Sequence, residues 1–270
     1  MSSENIKRNP DFFRRRRREH IISFSLGFGV IALLLILWEI AARTRLIDPM
    51  FTSCPSKIFL AGIELFRDGE ILRHARASGK VFIVGFIASA IVGIPVGIIA
   101  GWSKWTDHTL SPLISALNTT PRIALMPLLI VWFGLGFGSK IVLVFLSAVF
   151  PIIVNMQSAM LNLDDELRTV AKSYGANKRQ LFMTIALPAS VPFLITGLRL
   201  GIARALMGII AAEVFGGGEG IGFLIQYAGS MFQVETVFVS VVLIATFGIA
   251  LDRSFQMISH RVDHWRSAGR

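Results

Sequence analysis

The chain has 270 residues, of which 53% are hydrophobic and only 16% charged, with a mean hydropathy of +0.64. Soluble domains carry about 25% charged residues, so this balance excludes a soluble globular domain and points to an integral membrane protein. The net charge of +10 would suit nucleic acid, but the basic residues sit beside apolar runs, where they set orientation in a bilayer, and no nucleic-acid partner is expected.

Cys54 is the single cysteine, which excludes an internal disulfide and a cysteine-based metal cluster. Residues 1–20 hold Lys7, Arg8 and the run Arg14 to Arg18, and read as a basic cytoplasmic tail. The apolar run Ile21 to Ala42 is longer than the 7–15 residues of a signal-peptide core, so a retained first span is expected. Residues 43–79 form a first outer loop with a short helix from Ser56 to Phe66. Val81 to Ala100 is the second span, whose Gly85, Gly93, Pro95 and Gly97 offer small surfaces for close helix approach.

Leu110 to Phe133 is a third span interrupted by Pro112, Pro121 and Pro127, with Asn118 and Arg122 in its apolar background. A charge there is costly in lipid, so Arg122 either faces protein or water, or snorkels to the headgroups. Gly134 to Gly138 makes an outer turn, and Ile141 to Met156 is the fourth span. The fifth, Ala189 to Val214, carries Arg199, Arg204 and Glu213, which line either a pathway or a structural ion pair. Gly216 to Gly222 looks superficially like a phosphate loop but lacks the Gly-Lys-Ser/Thr ending, and is expected to be a flexible outer loop or re-entrant turn. Val234 to Leu251 is the sixth span, followed by a cytoplasmic tail over 259–270.

The expected fold is therefore all-α: six transmembrane helices within 21–258, with both termini in the cytoplasm. Inner segments hold sixteen Lys and Arg residues against six in the outer segments, all six from Arg43 to Arg76.

The loop 160–188 is a polar island between apolar spans. Leu163, Leu167, Val170, Ala171 and Tyr174 recur at helical spacing, with Asp165 and Glu166 at the favourable start of the dipole. Gly175 suits a left-handed turn at the helix end, Asn177 can cap a second short helix, and Pro188 closes it.

From Gly175 the island resembles the cytoplasmic loop of permease subunits in binding-protein-dependent ABC importers. The family signature is Glu-Ala-Ala, three residues, Gly, nine residues, Ile, one residue, Leu-Pro; Gly175, Ile185, Leu187 and Pro188 stand at that spacing, while Thr169-Val170-Ala171 keeps only the last alanine. Thr120 to Gly136, Gly197-Leu-Arg199, Ala211-Ala-Glu213 and Gly220-Ile-Gly222 resemble the taurine, nitrate and sulfonate branch.

The resemblance implies a homodimer in membrane lipid, ATPase subunits that bind the ATP and Mg this chain does not, and a binding protein that delivers a small solute. It implies a coupling helix, for which Leu167, Val170, Ala171, Tyr174, Gly175 and Ala176 are the expected contact, the alternative being that this face packs on the chain's own spans and the polar residues meet the ATPase. Asn118, Arg122, Arg199, Arg204 and Glu213 are the candidate pathway residues, with a structural role as the alternative for the charged ones. An intramembrane enzyme would need His-Glu-x-x-His, Gly-x-Ser-x-Gly or paired intramembrane aspartates, and none is present. All five histidines are expected outside the spans, and no metal site is expected.

Overall fold

A computed structural model describes residues 10–267. Within them the chain is helical: α1 (Pro10–Arg43), α2 (Pro49–Thr52), α3 (Pro55–Arg67), α4 (Glu70–Trp102), α5 (Lys104–Thr119), α6 (Met126–Phe133), α7 (Phe137–Leu161), α8 (Asp165–Ser173), α9 (Lys178–Leu181), α10 (Leu187–Gly216), α11 (Ile221–Ser230) and α12 (Val234–Ser267). Four of these runs are long and apolar enough to cross a membrane: α4, α7, the continuous stretch Lys178–Gly216, and α12 as far as Met257. A fifth crossing results if α5 and the segment through α6 count as one bent span. The first expected span falls in α1, but its earliest side chains, with those of the arginine run and the tail 259–270, lie outside the described residues.

α7 is the central rod, packed chiefly on α4 and α10. The approach is set by residues without a Cβ. Gly85, Gly93, Gly97 and Gly101 recur at multiples of four along one face of α4; a Cβ on Gly85 would stand 2.7 Å from Val144 Cγ1, and one on Gly97 would stand 2.6 Å from the Ile153 carbonyl oxygen. On the other side of α7, a Cβ on Gly197 would meet Asn155 Cβ at 2.9 Å and one on Gly201 would meet Ile152 at 3.2 Å. Between lipid-bathed helices there is no hydrophobic drive, so such dispersion contact supplies the attraction. Val81, Phe82, Val144, Ala148, Ile202, Ala205 and Ile209 fill the three-helix seam.

Polar ties fix the ends. Gln157 Nε2 donates to Asp107 Oδ1 at 2.8 Å and to Ser111 Oγ at 2.6 Å, joining α7 to α5. At the opposite end Glu39 accepts from Ser56 N and Oγ at 3.0 and 2.8 Å, and Trp38 packs on Phe238, holding α1 to α3 and α12.

Four expectations change. The third span is not straight: Thr120 is extended before Pro121, whose ring disfavours the helical conformation at the residue preceding it, and the two halves meet at 80°. The helix that carries the second span begins eleven residues before that span was expected to start, at Glu70, taking in the end of the first loop and His74. The second short helix does not end at Pro188. It runs through a wider π-turn, Phe182–Ala186, into α10, which relieves the missing proline N–H and the ring's clash with the preceding turn. Finally, α11 occupies what was read as loop; Gly222, Leu224 and Ala228 are its buried positions.

Replacing Gly97 by alanine is expected to lower stability in detergent by about 1–3 kcal/mol, because the added methyl meets a backbone carbonyl. Gly79→Ala, with open space at that position, should be neutral or slightly stabilising in the same thermal unfolding measurement.

Candidate functional site

The loop around α8 is built to stand off the helix bundle. Leu163, Ala159, Met160 and Ala186 form a buried cluster with Trp102, Phe182 and Ile185, anchoring the chain on both sides of the loop. Asp164 then caps α8, its Oδ1 accepting from Glu166 N at 2.8 Å. Because Leu163 precedes that cap it is buried in the bundle and does not share the outer face, contrary to the sequence spacing. Leu167 and Val170 are half exposed and Tyr174 is 89% exposed. Ala171 and Ala176 are partly covered.

The end of α8 explains Gly175. Ala176 N donates to Ala171 O at 3.0 Å and Gly175 N to Lys172 O at 2.9 Å, the paired bonds of a Schellman turn, and Gly175 takes the positive φ of +79° that this turn requires. Asn177 then starts α9 with a reciprocal capping box: its side chain accepts from Gln180 N, and Gln180 Oε1 accepts from Asn177 N, both at 2.9 Å. The α8 turn is thus fixed in backbone and carries exposed apolar residues beside its polar ones.

The five expected pathway residues do not form one cluster. Arg199 Nε and Nη2 donate to the Asp252 carboxylate at 2.6 and 3.1 Å, tying α10 to α12 at a half-exposed position. Arg122 sits at the break after α5, where the helix leaves carbonyls without partners. Its Nη2 donates to the Asn118 backbone oxygen and, at 3.1 Å, to Asn118 Oδ1, and its guanidinium lies 5.2 Å from the Phe150 ring centre. Arg204 of α10 is exposed. Among the described residues neither Arg122 nor Arg204 has an acidic partner within 4.0 Å. The structure therefore joins Asn118 to Arg122 and separates Arg199 into an ion pair with Asp252.

Glu213 belongs to a buried polar knot at the end of the bundle remote from α8. Its Oε2 accepts from Gly222 N at 2.8 Å and its Oε1 from Ser78 Oγ at 2.7 Å. Ile221 N donates to Ser78 Oγ at 2.9 Å and Gly220 N to His74 Nδ1 at 3.0 Å, so the first amides of α11 are met by side chains from α4 and α10. Since Nδ1 accepts, the His74 proton sits on Nε2, facing Glu70 at 3.5 Å. Lys140 Nζ donates to Gly217 O at 2.6 Å and Glu219 O at 2.9 Å.

The glycine-rich segment is accordingly pinned from three helices, a correction to the flexible loop expected from its composition. Gly220, at φ +136°, lies against the Glu213 carboxylate with no room for a Cβ. His74, expected outside the spans, is buried in α4. His74, Ser78 and Lys140 were missed because each is isolated in sequence; the faint signal was Ser78 one turn after His74 on the same helical face.

With the geometry in hand, the chain can be compared with known proteins. It matches the family described as binding-protein-dependent transport system inner membrane component over residues 93–264. It is 30% identical over 246 residues to the taurine transport system permease protein TauC of Escherichia coli, covering 89% of this chain and 90% of that protein. It is 29% identical over 262 residues to the putative aliphatic sulfonates transport permease protein SsuC of Bacillus subtilis, covering 97% and 95%. Its fold matches inward-facing structures of the MetNI methionine ABC transporter, with a TM-score of 0.63 at 16% identity over 72% of this chain and 97% of the other. The family match, the relatives and the shared helical fold agree: the chain belongs to the binding-protein-dependent transport system inner membrane components, the permeases of ABC transporters.

Proposed function

We propose that the chain works as a dimer of six-span subunits that moves a small anionic solute, of the sulfonate or taurine kind, inward across a bacterial inner membrane. The six spans are α1, α4, the bent α5–α6 pair, α7, α10 and α12, with both termini and α8 in the cytoplasm. A binding protein delivers the solute on the opposite side, and separate ATPase subunits hold ATP and Mg and supply the energy. The proposed domain division is a basic tail over 1–20, the permease body over 21–258 and a C-terminal tail over 259–270.

One observation carries the coupling role: the apolar residues of α8 are exposed while its two flanks are anchored. A helix turning Leu167, Val170 and Tyr174 to water is waiting for a partner surface, and an ATPase cleft fits an element on the cytoplasmic side. This favours the apolar face over the polar one as the contact, with Gly175 and Ala176 forming the tight exit. The Thr169-Val170 departure from Glu-Ala is consistent with coupling through packing and not through a glutamate. Closure of the ATPase dimer moves α8, and α7 and α10 carry the shift along the bundle.

Asn118, Arg122 and Arg204 form the proposed anion-contacting part of the pathway, because guanidinium groups without an acidic partner within 4.0 Å among the described residues are stabilised by a bound anion. Arg199 is engaged by Asp252 and Glu213 by the α11 amides, so their proposed part is to hold the walls of that pathway.

Two outcomes test this. Leu167→Asp with Tyr174→Asp should leave the permease inserted and folded but cut ATPase co-purification and transport by at least about tenfold, the equivalent of one lost contact of ~1.4 kcal/mol; normal co-purification would contradict docking through this face. Arg199→Asp and Asp252→Arg should each reduce stability, and the double exchange should recover most of the loss; independent, additive losses would show that the pair is not the operative interaction.

A further inference from the structure

The end of the bundle remote from α8 holds an open cleft of about 910 Å³ between the start of α4, the α6–α7 turn and the glycine segment after α10. Arg73, Arg76 and Lys80 face it from α4, and Lys140 lines it from α7; Glu219 is the one acid among its lining residues. Arg73, Arg76 and Lys80 fall at offsets of three and seven, on one helical face, and all are exposed. Arg73 is partly offset by Glu70 at 3.4 Å, whereas among the described residues Arg76 and Lys80 have no acid within 4.0 Å. Lys140 is held by the backbone carbonyls of Gly217 and Glu219.

This arrangement is unfavourable on three counts. Like charges three or four residues apart destabilise a helix by about 0.2–0.5 kcal/mol per pair. Arg73 lies in the first turn of α4, where the helix dipole disfavours a cation. With α8 in the cytoplasm the cleft opens outward, against the bias that keeps Lys and Arg inside. A bound anion offsets the first two terms. The remaining walls include Leu72, Val81, Leu135 and Phe137, which give an apolar side beside the cations.

We infer that this cleft is an outer vestibule that accepts a small organic anion, a charged sulfonate or related oxyanion bearing a short apolar group, before it enters the pathway. The assignment rests on the importer reading for its direction. Arg76 and Lys80 supply the attraction, and the wall formed by Leu72 and Phe137 selects the apolar tail. Field focusing in a cleft lined by one sign of charge raises local anion concentration and entry rate by about tenfold or more.

The test uses the permease–ATPase complex in phosphatidylcholine vesicles, with Cys54→Ser and Leu72→Cys as the single reactive thiol. Labelling by the anionic 2-sulfonatoethyl methanethiosulfonate is expected to exceed that by the cationic trimethylammonioethyl reagent by about tenfold. The preference should fall toward unity in Arg76→Gln/Lys80→Gln and persist in Arg76→Lys, which keeps the charge. Millimolar ethanesulfonate should slow labelling in the native cleft and leave the double variant unaffected. Equal preference in the native and double-variant complexes, or no protection by ethanesulfonate, would overturn the assignment. Protection by added phosphatidylglycerol without protection by ethanesulfonate would also overturn it, assigning the cleft to lipid headgroups. Labelling does not need transport, so a charge preference in a complex that takes up no solute would leave the cleft standing and count against the importer reading.

Discussion

Close contact between α7 and its two neighbours is the constraint on which the structure depends. Within a bilayer, side chains gain little by leaving lipid for protein, and what remains is packing at short range. Gly85, Gly93, Gly97 and Gly101 on α4, and Gly197 and Gly201 on α10, remove the atoms that would hold the backbones apart. The result is a three-helix slab that cannot bend at α7 without losing many contacts at once. That rigidity makes it a mechanical element. One end of α7 continues through Leu163 into the α8 loop, and Lys140 near the other end binds the glycine segment.

The two ends of the slab have opposite character. At the α8 end an amphipathic helix leaves Leu167, Val170 and Tyr174 exposed beside its polar residues, with the cap of Asp164 and the Gly175 turn fixing its shape. At the remote end one set of polar groups is buried and satisfied: Glu213, Ser78 and His74 receive or relay the first amides of α11. A satisfied buried network is stiff, because moving one member leaves the others desolvated and unpaired. A displacement entering through α8 passes into α7, whose one internal proline, Pro151, lies within its packed middle, while the bend at Thr120-Pro121 and the π-turn before Pro188 mark sharper departures from regular helix.

Much of this was legible in the residues. Apolar runs located the helices α7 and α10 to within about five residues at each end, because length and hydropathy are local properties. Gly175 and Asn177 announced their turn and cap because each answers a backbone need within a few positions. The Glu213 knot was illegible, since its meaning depends on amides brought from α11 and a hydroxyl from α4, more than one hundred positions apart for Ser78 and Glu213. Leu163 misled for the complementary reason: periodicity counts a residue on a face without knowing where the helix is capped. α11 was lost behind the glycine run, which reads as a loop until the partners of its amides are known.

The central claim is that α8 meets its ATPase through the apolar face. Cys54 is the chain's only cysteine, so a Cys54→Ser background allows single cysteines at Leu167, Val170, Tyr174 and Lys172 to be cross-linked, one at a time, to a cysteine-bearing ATPase cleft in the assembled complex. The account predicts rapid cross-linking from Leu167, Val170 and Tyr174, with little from Lys172. Cross-linking confined to Lys172, with the three apolar positions unreactive, would contradict it.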